Sequence, residues 1–64
     1  MKNALKNIRK EKKISQEQLA RLTGISRPYL SEIENGKANP SAKIILKIAR
    51  VLGTEVEKIF NISS

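Results

Sequence analysis

The chain is 64 residues long, enough for one domain (1–64) with a small core, because so short a chain buries only about 60% of its unfolded surface. It contains no cysteine and no histidine, which excludes disulfide staples, thiolate zinc sites and histidine catalysis, and a ligand pocket of roughly 300–1,000 Å³ is hard to fit inside it. Thirteen Lys and Arg against six Asp and Glu give a net charge of +7, which concentrates the chain near polyanions without specifying which.

No cofactor, metal or small-molecule ligand is therefore expected. No apolar run approaches the ~20 residues of a membrane span, and Met1-Lys2-Asn3 opens a basic amphipathic stretch, not a signal peptide. The expected location is the cytoplasm, at the nucleoid of a bacterium or a phage-infected cell.

Apolar residues recur at helical spacing and no stretch alternates as a strand would, so the pattern predicts an all-α, compact five-helix bundle. The first helix spans about 2–13, with Ala4, Leu5 and Ile8 on one face. Ser15 caps a second helix, 16–23, and Gln18 completes a capping box. Its apolar face carries Leu19, Ala20 and Leu22, and Gly24 stops it in a left-handed turn. Ile25 fills the turn, and Ser26 caps a third helix, 27–35, with Pro28 in the first turn where its missing N–H costs nothing. Asn35-Gly36 ends that helix. After the loop 37–40, Ser41 caps a fourth helix, 42–52, which Gly53 ends. Thr54 with Glu57 makes a capping box for a short fifth helix, 55–60.

Residues 16–36 carry the chemistry. Two helices joined by a three- or four-residue turn form a helix-turn-helix, whose second helix enters the DNA major groove. A wheel at about 100° per residue puts Leu30, Ile33 and Glu34 on one arc of the third helix. Arg27, Pro28, Ser31, Glu32 and Asn35 fall on the other, with Tyr29 at the boundary. Arg27 opposes the helix dipole; its functional reading is a donor of two hydrogen bonds to guanine O6 and N7, or a partner of phosphate, against that of an ordinary solvated arginine. Glu32 accepts from cytosine N4 or rejects wrong sequences by repulsion, when it is not simply solvated. Ser31 and Tyr29 are candidates for a base edge, a thymine methyl or phosphate, and Tyr29 fits a place at the core edge equally well.

Phosphate contacts position a protein without reading sequence, and helix N-termini suit them. Gln16, Ser26 and Ser41 stand at such termini; Asn35, Lys37 and Asn39 follow the third helix. Glu34 lies on the buried side near a helix C-terminus, where the dipole disfavours a negative charge. A buried carboxylate needs a partner, and Arg9 on the first helix is the choice, as a structural ion pair. The fourth helix is apolar over most of its circumference. Part of that surface, with Val51, together with Val56, Ile59, Phe60 and Ile62 beyond it, is a candidate subunit interface, unless the fourth helix is simply the central helix of the core.

The run Ile14-Ser15-Gln16-Glu17-Gln18-Leu19-Ala20, then Gly24-Ile25-Ser26, Leu30-Ser31-Glu32-Ile33-Glu34-Asn35-Gly36-Lys37 and Asn39-Pro40-Ser41, resembles the lambda-repressor-like (Cro/cI, XRE-type) helix-turn-helix family. Ala49-Arg50-Val51-Leu52-Gly53 and Ile59-Phe60 continue the likeness, from about Leu5 to Phe60. The resemblance implies a sequence-specific transcription regulator, a repressor, binding palindromic double-stranded operator DNA as a homodimer. It implies that Gln16, Arg27, Pro28 and Glu32 face DNA, that Asn35 and Lys37 meet phosphate, and that Arg9 and Glu34 form the family's buried pair. Phage members often carry glutamine where this chain has Arg27, Pro28 and Glu32, so their operators do not transfer. The C-terminal domain many repressors use for dimerisation or sensing is not expected here. An antitoxin or bridging factor, whose main partner is a protein, is the second expectation, and an enzyme is not expected.

Overall fold

A computed structural model describes residues 3–60. Among them five helices follow one another: α1 (Leu5–Glu11), α2 (Gln16–Thr23), α3 (Arg27–Glu34), α4 (Ala42–Leu52) and α5 (Val56–Ile59). The described residues contain no strand, only an isolated antiparallel bridge between Asn3 and Phe60. The all-α class holds.

Local capping writes the central helices. Ser15 accepts from the Gln18 amide while the Gln18 side chain accepts from the Ser15 amide, closing the capping box of α2. Ser26 and Ser41 accept from the amides of Tyr29 and Ile44. Each such cap contributes about 1 kcal/mol by satisfying an orphan helix donor. Gly24 ends α2 at φ 73°, the left-handed region that L side chains adopt only at a cost.

The helix ends at both extremes of the chain differ from expectation. α1 starts at Leu5, because Asn3 Oδ1 accepts from the Leu5 amide at 3.0 Å while Asn3 Nδ2 donates to the Ile33 carbonyl at 2.8 Å. The Ala4 amide donates to the Ile59 carbonyl at 2.8 Å, so the start of the chain is tied to α3 and α5; the expected first turn at residue 2 lies outside the described residues. At its other end α1 stops at Glu11 without a glycine. Lys13 takes φ 59°, and the Ile14 amide reaches back to the Arg9 carbonyl, the six-to-one closure that a glycine normally makes. α5 is four residues long, capped by Glu55 with no side-chain bond, so the expected Thr54–Glu57 box is absent and Phe60 is extended instead.

The core comprises Leu5, Leu19, Ala20, Leu30, Ile33, Ile48, Ala49, Leu52, Ile59 and Phe60. All five helices contribute to it. Leu22 is a correction: it is 62% exposed. On the wheel Leu19, Thr23 and Ala20 span about 100°, and Leu22 lies about 60° outside that arc. Thr23 takes the inner place, its Oγ1 donating to the carbonyls of Leu19 and Ala20.

Candidate nucleic-acid interface

The pieces of the candidate interface come from successive helix starts. Leu19 and Ala20 of α2 and Leu30 and Ile33 of α3 lie in the common buried core, while Arg27, Pro28 and Glu32 of α3 stay open. Leu30 and Ile33 have no solvent exposure; Arg27, Pro28 and Glu32 are exposed, and Tyr29 and Ser31 half-buried. Ser26, Asn35, Lys37, Asn39 and Ser41 are exposed as well, and Gln16 is half-buried. Asn35 is the C-cap of α3 rather than its last residue. Behind it Gly36 at φ 74° lets the Lys37 amide return to the Glu32 carbonyl at 2.8 Å, which fixes where the Lys37 side chain leaves the fold.

Beneath this face lies an ion pair. Arg9 Nε donates to Glu34 Oε2 at 2.6 Å and Arg9 Nη2 to Glu34 Oε1 at 3.3 Å, with side-chain exposures of 9% and 2%. Arg9 Nη1 also donates to the Ile14 carbonyl. The two-point fork suits a guanidinium and a carboxylate, and the pair fastens α1 to the end of α3. The sequence placed these two together from Glu34's buried position; it did not show what else the carboxylate holds. Gln16 Nε2 donates to Glu34 Oε1 at 3.1 Å, and Arg27 Nε donates to Gln16 Oε1 at 3.2 Å. Gln16, expected only as a phosphate contact, thus bridges the buried pair to the first residue of α3. The available signal was that Gln16 and Arg27 each follow directly on the N-cap of their helix.

Two expected interface residues belong elsewhere. Ile59 and Phe60 are 1% and 0% exposed within a single chain, so they fill this chain's own core and offer nothing to a second subunit. Val51 and Val56 are half-buried against that core, and Ile62 lies outside the described residues. Among the described residues no cluster of acidic side chains is placed to hold a metal ion, and no helix is long and apolar enough to cross a membrane.

A short helix, a glycine turn and a second helix with one buried stripe and one open polar arc define a helix-turn-helix domain. A family model described as helix-turn-helix matches residues 5–59. The HTH-type transcriptional regulator MJ0272 of Methanocaldococcus jannaschii is 45% identical over 60 residues, covering 94% of this chain and 91% of its own. The crystal structure of the restriction-modification controller protein C.AhdI from Aeromonas hydrophila superposes with a TM-score of 0.81 at 41% identity, over 88% of this chain and 85% of that one. SinR of Bacillus subtilis, the master regulator for biofilm formation, in a structure with DNA, gives 0.74 at 41% identity, over 83% and 86%. The chain belongs to the lambda-repressor-like (Cro/cI, XRE-type) helix-turn-helix family. It is a DNA-binding transcription regulator and not an enzyme.

Proposed function

We propose that the chain binds a specific double-stranded operator as a homodimer with α3 in the major groove, repressing transcription from it. The observation that carries this is the exposed arc of α3: Arg27 and Pro28 in its first turn and Glu32 in its second stand open beside a stripe buried to 0%. Arg27 reads guanine, and Ser31, Tyr29 and Glu32 contact neighbouring base edges. Gln16, Ser26, Asn35, Lys37, Asn39 and Ser41 hold the phosphates that set the register. The protein acts where the DNA is, at the nucleoid in the cytoplasm.

Two-fold pairing would set recognition helices about 34–36 Å apart on successive major grooves. One domain has a longest dimension of 30 Å, so a single copy addresses one half-site. With Ile59 and Phe60 committed to the core, Val51 and Val56 remain as the apolar contact between copies.

Selection of bound sequences from a random duplex pool at fixed salt tests this. An enriched palindrome supports the dimeric regulator, and a single half-site removes the dimer. No enrichment, with binding that vanishes as salt rises, overturns sequence reading and leaves charge alone holding DNA.

A further inference from the structure

The four-residue chain Arg9–Glu34–Gln16–Arg27 has a direction, and chemistry dictates it. A carboxylate only accepts and a guanidinium only donates, whereas a glutamine amide does either at its two ends. Gln16 sits between one of each. Its Nε2 must face Glu34 and its Oε1 must face Arg27; the reverse orientation would set oxygen against oxygen and N–H against N–H. The observed bonds follow that single solution.

We propose that Glu34 is a specificity-positioning residue: by fixing the orientation of the Gln16 amide, it presents an acceptor to Arg27 and aims the arginine at its base. Arg27 uses Nε for this bond. Its two terminal nitrogens take no part in that bond and form an end-on fork, the pair of donors that guanine O6 and N7 accept. Arg27 is exposed and would otherwise sample many rotamers, which binding must freeze. The buried pair therefore acts on base choice from beneath the surface, through Gln16, without touching DNA. This rests on Arg27 being the base reader.

The test uses the duplex enriched from the random pool and its single-base variants, at one salt concentration. Arg27→Ala first identifies the base pair that Arg27 reads, by loss of roughly tenfold discrimination there. No loss at any position overturns the base-reading role, and the relay with it. Glu34→Gln keeps an oxygen for Arg9 but turns an N–H toward Gln16, which reverses the chain and points a donor at Arg27. It should lose most of the discrimination at that same base pair. Adding Gln16→Glu to Glu34→Gln supplies an acceptor to both neighbours again, and should restore discrimination to within about threefold of the parent. Retained discrimination in Glu34→Gln, or a double variant no better than the single one, overturns the relay.

Should Glu34→Gln fail to fold, Gln16→Met leaves the Arg9–Glu34 pair intact and decides the matter. The expected result is a loss of discrimination at the Arg27 base pair, on top of the uniform weakening from the lost phosphate contact, and no loss of discrimination in the Arg27→Ala background. Equal weakening on every duplex would mean that Gln16 serves phosphate only, and would sink the proposal while leaving the base-reading role standing.

Discussion

At the scale of single residues, the Arg9–Glu34 pair separates two kinds of contribution. Glu34 is 2% exposed, so removing its partner leaves an uncompensated buried charge, which costs about 3–5 kcal/mol. Arg9→Met should accordingly unfold much of the protein at room temperature, since a core of this size rarely supplies more than about 3–5 kcal/mol. Arg9→Met combined with Glu34→Leu should recover most of that loss, because an apolar pair of similar volume is often as stable as the ion pair. Urea denaturation of the three proteins checks both statements. On the DNA side, Lys37→Ala should weaken all duplexes alike and lower the salt slope by about one, whereas Arg27→Ala should cost about 1–3 kcal/mol on the cognate site. The partnership of Arg9 and Glu34 was legible because a carboxylate on a buried arc demands a cation. Gln16's double contact was not. It depends on two helix starts meeting in space, and the period of neither helix records that.

Elements show where sequence reading succeeds and why it stops. α2 and α4 have the bounds their caps announce, Gln16–Thr23 and Ala42–Leu52, since a serine hydroxyl and a left-handed glycine act within a few residues. The start of α1 is set by Asn3 and its partners Ile33 and Phe60, long-range contacts that leave no local mark. The end of α1 was hidden for another reason: Lys13 occupies the position where a glycine would have been visible. Holding a lysine at φ 59° costs about 1–2 kcal/mol of backbone strain, partly offset by the lower entropy of its unfolded chain. Lys13→Gly should therefore raise stability by about 0.5–1 kcal/mol, a rise of several degrees in Tm for a domain this small. Gly24→Ala is the mirror case. An added Cβ meets nothing within 4 Å, so a loss of about 1–2 kcal/mol would come from backbone conformation alone. Differential scanning calorimetry measures both. Leu22 shows that an apolar residue does not by itself mark the inner face of a helix, since the buried Thr23 completes that arc in its place.

For the whole molecule, charge and base reading occupy different places. α2 and α3 carry Arg21 and Arg27 against Glu17, Glu32 and Glu34, so the paired helices have a net charge of −1 and reduce the chain's total of +7. Electrostatic attraction to DNA must come from the flanking segments, where Lys6, Lys10, Lys43, Lys47 and Arg50 are exposed. Val51→Lys tests the proposed pairing of subunits: sedimentation on the selected palindrome should show one copy where the parent shows two, with half-site binding retained. Finally, Asn3 pairs with Phe60 and the Ala4 amide bonds to the Ile59 carbonyl, so the backbone is close to a ring. Closing a loop of roughly 60 residues costs on the order of 3–4 kcal/mol of chain entropy. The order in which the helices are written along the chain is thus a convention that folding has to overcome. A chain covalently joined from 60 to 3 and reopened between the exposed Lys12 and Lys13 would start from a different end, yet arrive at the same bundle.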